Sequence, residues 1–491
     1  MRYISTRGGE AVSASQAILS GLAPDGGLYL PSEIPTLSSD ELATIKTARY
    51  ADAARLICGK YLDDFTAEEI SDCVAGAYES GSFDAEDVIN LVKLNSGPVV
   101  MELFRGPTSA FKDMALQLMP RLLVCAARHC GETSRIAIVV ATSGDTGKAA
   151  LEGFCDVPGT TVTVVYPHEG VSEMQRLQMA TQKGQNTRVV ALRGNFDDAQ
   201  SAVKAFFANN EVRERLTKKG VRLSSANSIN WGRLLPQIVY YAVSSCRLSS
   251  DGKPVDFAVP TGNFGNILAA HYAREMGAPV GRLLCATNSN DVLYDFITTG
   301  TYDKNREFHR TLSPSMDILV SSNLERLLFE LSGRDDAAVR EYMSELGRCG
   351  RYTVPKALFD RLRDGFCTSR CDDERTLEII KRLWVEDHYL CDPHTAAAFA
   401  GLQNCVDEMG TDGRTVVVAS TASPYKFPRA VCTAIEGDAA AKADEHMLLT
   451  RLEDLSGIPI PMPLRGLFDL TVRHNTVCSL DELPSVLESC V

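Results

Sequence analysis

Several absences narrow the function of this chain before any motif is considered. No apolar run is long enough to span a bilayer, and the opening MRYISTRGGEAVSASQ has no continuous apolar stretch of the kind a secretory signal needs. None of the 15 cysteines forms a Cys-x-x-Cys pair; the closest spacings are Cys125 with Cys130 and Cys367 with Cys371. An odd number of thiols without paired spacing argues against a zinc ribbon or a secreted disulfide framework, so no metal and a reducing, cytoplasmic compartment are expected. There is no excess of positive charge either: 50 Lys and Arg stand against 63 Asp and Glu, a formal net charge of -13. Nucleic acids and anionic membranes usually recruit a basic face, so neither is expected as a partner, although a local basic pocket for one phosphate is compatible with this balance. No repeat period or low-complexity tract is present.

What is present is enough apolar material, 45% of 491 residues, to bury a large core divided among two or three domains. Residues 1 to about 90 combine Gly and Pro punctuation (GLAPDGGLYLPSEIP) with helical patterns such as ELATIKTARYADAARLICGKYL, which predicts a small, mainly helical leading domain. The texture changes near residue 95, where KLNSGPVVMELFRGPTSAFKD begins, and a boundary is expected just before it. Beyond it, β-branched apolar runs alternate with helical segments: IAIVVA at 136–141, VTVVYP at 162–167, RVVAL at 188–192, VDFAVP at 255–260, LLCAT at 283–287 and TVVVAS at 415–420. This alternation predicts an α/β fold of mostly parallel sheets covered by helices. Open sheets of that kind bind ligands at the carboxyl ends of their strands, so chemistry is expected in the residues that follow each run.

Three runs end in small polar residues: IAIVVA in TSGDTGKAA, VDFAVP in TGNFGN, and TVVVAS in TASPYKF. Loops rich in amides and hydroxyls must satisfy them with something polar, and three such loops at one crevice are harder to dismiss than one. In Thr261-Gly262-Asn263-Phe264-Gly265-Asn266 the glycines permit close backbone approach, and a helix beginning near Ile267 would aim its amides at the same point, as a phosphate cradle does. A tight strand-to-helix turn explains this loop equally well by itself. No Gly-x-Gly-x-x-Gly is present to support a nicotinamide fingerprint, and Gly144 lies too near the Gly147-Lys148 pair for a P-loop, which excludes a nucleotide kinase. Ser143, Asp145 and Thr146 suit a substrate carboxylate and ammonium, or an ordinary helix cap with Lys148 in solvent.

Between these loops lies Phe104-Arg-Gly-Pro-Thr-Ser-Ala-Phe-Lys-Asp113. Most lone lysines are solvated, but Lys112 follows Ala110 and Phe111 and precedes MALQLM, so its helix face is expected to be partly buried. A desolvated lysine loses its proton readily and becomes a Schiff-base nucleophile. Lysine plus a phosphate cradle is what pyridoxal 5'-phosphate requires.

At these motifs the chain resembles the threonine synthases, within the fold-type II pyridoxal-phosphate enzymes. YISTRGGEAVSASQAILSGLAPDGGLYLPSEIP, PTSAFKD, ATSGDTGKAA, SSANSINWGRLLPQIVYY, PTGNFGN, DPHTAAA and STASPYKF resemble family segments in the same order over nearly the whole chain. The resemblance implies a leading domain at 1–92 and a catalytic region at 93–491, built as two α/β subdomains around the site, the smaller at roughly 135–230. It places the cofactor on Lys112, with Phe111 beside it, Gly262, Asn263, Phe264, Gly265 and Asn266 around its phosphate, and the Thr421 hydroxyl on its pyridine nitrogen. Ser143, Asp145 and Thr146 would contact the amino-acid end of a small phosphorylated amino-acid substrate. Asn227, Ser228, Asn230 and Arg233 would hold its phosphate, with Arg233 as a bidentate clamp, although NSINWGR also reads as a helix start with a core Trp231. Asp392-Pro393-His394-Thr395 reads as a turn and helix start, and His394 is given no catalytic role. Ser423 departs from the histidine expected in much of the family.

The activity implied is conversion of O-phospho-L-homoserine and water to L-threonine and phosphate, by γ-elimination and β-addition of water. A threonine-synthase-like phospho-lyase giving 2-oxobutyrate, ammonia and phosphate is the nearest alternative. Serine/threonine dehydratase is opposed by the long leading domain and by NSINWGR. A non-catalytic relative is opposed by Lys112, the Gly-Asn-Phe-Gly-Asn loop and Thr421. A monomer is expected, with a dimer as the alternative.

Overall fold

The computed structural model describes residues 1–142 and 144–491, apart from the side chains of Asp197, Ala208, Asp438 and Ala439. The chain opens with a two-stranded antiparallel ribbon, β1 (Tyr3–Ser5) and β2 (Tyr29–Pro31), and then turns helical. The helices Ala14–Ser20, Ser39–Thr47 and Ala67–Tyr78 each start at a capping box, formed by Ser13 with Gln16, Ser38 with Glu41, and Thr66 with Glu69. Each box satisfies amide donors that a helix start otherwise leaves open, which is why these short segments are helical at all.

A large sheet then begins with β3 (Asn90–Lys93) and β4 (Val99–Glu102), paired antiparallel. The expected boundary at residue 92 therefore falls inside a strand of this sheet. Next come β5 (Arg135–Ala141), β6 (Thr160–Pro167), β7 (Thr187–Leu192) and β8 (Val221–Ser224) of a smaller sheet. After a long buried helix, Trp231–Leu248, the chain returns to the large sheet with β9 (Val255–Pro260) and β10 (Val280–Thr287). A ribbon of β11 (Thr301–Asp303) and β12 (Arg351–Thr353) precedes β13 (Phe366–Arg370) and β14 (Val416–Ser420), which complete the large sheet.

The large sheet has strand order β13-β10-β9-β14-β4-β3, parallel except at its β3 edge. The small sheet is parallel throughout in the order β15-β7-β6-β5-β8, its edge strand β15 (Thr476–Cys478) coming from beyond the expected 135–230. Helices alternate with these strands along the chain, as expected of an α/β fold. The six runs expected as strands are strands. Their near-continuous Val, Ile and Ala content reflects burial on both faces; all six residues of β9 are buried. Among the described residues no helix is long and apolar enough to cross a membrane, and no group of three or more His, Cys, Asp or Glu is placed to hold a metal.

Candidate functional site

The loops following β5, β9 and β14 meet at one cavity, which Thr142, Thr146, Gly262 to Asn266 and Thr421 line together with Phe111 and Lys112. Lys112 is placed there by a loop zipped to the end of β14. The Phe111 amide donates to Thr421 O at 2.8 Å, and the Ser423 amide donates to Ser109 O at 3.0 Å. Asp113, buried, accepts from the Thr108 amide at 2.8 Å and hydroxyl at 2.7 Å, which closes the turn immediately before the lysine. Lys112 Nζ stands 4.2 Å from the centre of the Phe111 ring. Burial, then the nearby Arg233 guanidinium, pulls the Lys112 ammonium down to about 7, so the amine exchanges a proton near neutrality.

At the same cavity the helix Gly265–Glu275 starts two positions earlier than the sequence suggested, with Phe264 at its N-cap in a left-handed conformation, φ 60°. A phenylalanine held there is strained and persists only where its surroundings enforce it. A Cβ at Gly262 would lie 2.8 Å from Ser315 O, so the loop admits no side chain at that point. The amides of Gly262, Asn263 and Phe264 have no hydrogen-bond partner among the described residues, and Asn266 Nδ2 is buried and unpartnered. Unsatisfied donors at a helix start form an anion site. A lysine that deprotonates near neutrality, sharing one cavity with such a cradle and with Thr421, fits the aldehyde, phosphate and ring nitrogen of pyridoxal phosphate.

A second cationic feature lies in the same cavity. The segment that sequence reading left open as either substrate site or helix start begins a helix and also contributes to the cavity wall. Asn230 caps the helix through Gly232 N at 2.9 Å and donates to Ile18 O and Ser225 O, so it is buried as a structural cap and is not among the lining residues, contrary to expectation. Trp231 is core, packed against Tyr3, Tyr61 and Tyr272. Arg233 reaches the cavity with Asn227 and Ser228. Its guanidinium donates to Ala226 O at 2.6 Å, its Nε has no partner among the described residues, and burial pulls it down to about 10. A buried guanidinium without a carboxylate is suited to an anionic ligand.

Asp145 also departs from expectation. Its carboxylate does not line the cavity; Oδ1 lies 2.7 Å from Lys426 Nζ and accepts from Gln175 Nε2 at 2.9 Å, and Oδ2 accepts from Ser315 Oγ at 3.1 Å. Burial by itself would raise this carboxyl, but the Lys426 ammonium outweighs it and holds the group well below the usual carboxylate range. Ser143, the remaining expected substrate contact, lies outside the described residues.

Four residues that sequence reading did not assign belong to the site or its support. Gln237 lines the cavity one helical turn after Arg233, a spacing of four that places it on the same face. His394 also lines it, its Nδ1 2.7 Å from Asp392 and its Nε2 accepting the Ser315 amide at 3.1 Å. Ser315 comes from a stretch with no motif, whereas Lys426 stood inside STASPYKF without a role. Ser423 is buried, and its hydroxyl accepts the Tyr425 amide to cap the short turn that carries Lys426 inward.

Comparison with known proteins agrees with this geometry. The family model for the threonine synthase N terminus matches residues 2–78, that for pyridoxal-phosphate dependent enzymes matches 99–358, and that for the threonine synthase C-terminal region matches 395–473. The chain is 42% identical over 443 residues to a threonine synthase of Pseudomonas aeruginosa, covering 90% of this chain and 92% of that protein. It is 38% identical over 459 residues to threonine synthase-like 1 of Pongo abelii, covering 88% of this chain and 61% of that longer protein. The crystal structure of pyridoxal-phosphate-bound threonine synthase from Brucella melitensis superposes with a TM-score of 0.87 at 36% identity, covering 100% of this chain and 99% of that one. With its lysine, its amide cradle and all three matched regions in order, this chain belongs to the threonine synthase family of pyridoxal-phosphate-dependent enzymes.

Proposed function

We propose that this chain converts O-phospho-L-homoserine and water to L-threonine and phosphate, as a pyridoxal-phosphate-dependent carbon-oxygen lyase. The observation that carries this reading is one cavity that holds a lysine of lowered pKa together with two separate anion sites, the amide cradle at 262–266 and the buried Arg233. One anion site suits the phosphate of the cofactor, and the other suits the phosphate of the substrate.

Gly262 to Asn266 would hold the cofactor phosphate, Lys112 its aldehyde carbon, and Thr421 its ring nitrogen. When bound, the cofactor supplies a sink for the electrons left at Cα once its proton is removed. Lys112 Nζ takes that proton and returns protons later, which an amine titrating at about 7 does at neutral pH. Arg233, with Asn227 and Ser228, binds the γ-phosphate and steadies the charge that grows on it as the Cγ–O bond breaks. Thr142 and Thr146 border the amino-acid end. Asp145 supports that end from behind, through Lys426 and Ser315. The unpaired state of all 15 cysteines supports a cytoplasmic setting.

The test is to incubate the cofactor-loaded protein with O-phospho-L-homoserine and follow phosphate, threonine and 2-oxobutyrate together, with Lys112→Ala as control. Threonine equal to phosphate, both lost in the variant, is expected. Release of 2-oxobutyrate in place of threonine would identify a phospho-lyase, and no phosphate release would overturn both readings.

A further inference from the structure

The loop at 262–266 owes its shape to one short segment at 321–326. Ser321 Oγ donates to Gly262 O at 2.7 Å, while the Asn323 amide and Nδ2 donate to Asn263 O at 3.2 and 3.0 Å. In a trans peptide the carbonyl and the following N–H point in opposite directions. Tying these two carbonyls to 321–323 therefore turns the amides of Asn263 and Phe264 the other way, and it is this arrangement that leaves them without protein partners.

Asn323 is held in turn by Arg326, whose Nη1 donates to Asn323 Oδ1 at 2.5 Å. Arg326 is fully buried and makes no ion pair among the described residues; its other donors reach Tyr29 O, from Nε at 3.0 Å and Nη2 at 2.8 Å, and Ile229 O at 2.6 Å. Tyr29 belongs to β2 of the leading ribbon, and Ile229 precedes the cap of the Arg233 helix. The ribbon is clamped to the same helix, Leu324–Leu331, by Glu325, which accepts from Thr6 at 2.6 Å and from Arg7 at 2.9 and 2.8 Å. A planar guanidinium that serves three separate partners fixes their relative positions in a way that an ammonium does not.

We propose that the leading ribbon and Arg326 form a positioning device for the anion cradle: Tyr29 fixes Arg326, Arg326 fixes Asn323, and Asn323 sets the direction of the amides that receive a phosphate. The inference rests on reading 262–266 as the cofactor-phosphate site. It assigns the leading segment an effect on phosphate affinity, although no residue before Phe111 lines the cavity.

The experiment is titration of cofactor-free protein with pyridoxal phosphate and, separately, with pyridoxal, followed by absorbance, for Asn323→Ala, Arg326→Met, Arg326→Lys and Gly262→Ala. Asn323→Ala and Arg326→Met are expected to weaken pyridoxal phosphate about 10-fold or more and pyridoxal less than about 2-fold, with Arg326→Lys between them and the native protein. Thermal melting reports whether each variant is folded; where Arg326→Met is not, Asn323→Ala carries the test. Native affinity in Asn323→Ala alongside a loss in Gly262→Ala would overturn the positioning device while leaving the cradle in place. Native affinity in Gly262→Ala as well would overturn the reading of the cradle and the proposal with it. Equal losses for both aldehydes would mean that Arg326 and Asn323 act on the fold alone, which also overturns it.

Discussion

Lys426 Nζ lies 2.7 Å from Asp145 Oδ1, and both side chains are buried. The pair links the two sheets, because Asp145 opens the helix that follows β5 of the small sheet and Lys426 lies in the turn after β14 of the large one. Lys426 also donates to Thr108 O at 3.1 Å, so one ammonium ties the start of the helix after β5 to the lysine loop. Removing one member of a buried pair leaves an uncompensated charge, which is far costlier than the pair's net contribution. Lys426→Met is expected to lower unfolding free energy by about 3–5 kcal/mol, measured by denaturant titration, and adding Asp145→Asn should recover part of that loss. Strictly additive losses would show that the two groups are not coupled.

The same carboxylate makes the protein acid-sensitive. Asp145 titrates below its unfolded value of roughly 3.9, so its stabilisation is complete above that pH and is lost as pH falls through its lower folded value. Melting temperature against pH, from about 2 to 5, should fall more steeply for the native protein than for Asp145→Asn. Parallel curves would mean that the buried carboxyl is not ionised.

Lys112 is linked to pH with the same sign, but here it is the neutral form that the fold favours. Its folded value of about 7 lies below the unfolded value, so between the two the unfolded chain binds more protons and stability rises with pH. At pH 6 the cofactor-free protein holds a poorly solvated ammonium beside Arg233. Lys112→Met is expected to stabilise it there by on the order of 2 kcal/mol, the gain shrinking toward pH 10. Calorimetry of cofactor-free protein at both pH values decides this; a gain independent of pH would reflect packing rather than charge.

Particular residues show how far the sequence carried this picture. The six apolar runs became strands because β-branched residues buried on both faces leave little alternative. β13, with the sequence Phe-Cys-Thr-Ser-Arg, lies at the sheet edge and carries too few such residues to be noticed. Glycine and asparagine concealed the true start of the helix at Gly265. Asn230 and Asp145 are expected from sequence to contact substrate, yet neither lines the cavity, because whether a polar side chain faces a ligand depends on its other partners. Ile18 and Ser225 claim Asn230, and Lys426 claims Asp145. His394 was indistinguishable from a helix-start residue until Ser315, from a loop without a motif, met its ring.

Arg233 remains the group with an unfilled requirement. One terminal nitrogen donates to Ala226 O, yet its Nε is buried without a partner, and no carboxylate pairs with it among the described residues. The protein therefore bears a desolvation cost that an anionic ligand would offset. Arg233→Gln is expected to raise KM for O-phospho-L-homoserine by at least about 30-fold, and to weaken inhibition by inorganic phosphate comparably, since charged hydrogen bonds contribute most to such a site. Arg233→Lys should recover only part of this, because an ammonium cannot reproduce the bidentate fork. Arg233 also depresses Lys112, so its neutralisation should move the limb of the pH–rate profile that reports Lys112 to higher pH. Two separable readouts follow from one substitution: phosphate affinity reports contact with substrate, and the moved limb reports the field at the lysine. If KM and phosphate inhibition stay native while the limb moves, Arg233 acts only through that field, and the substrate phosphate must be held elsewhere in the cavity.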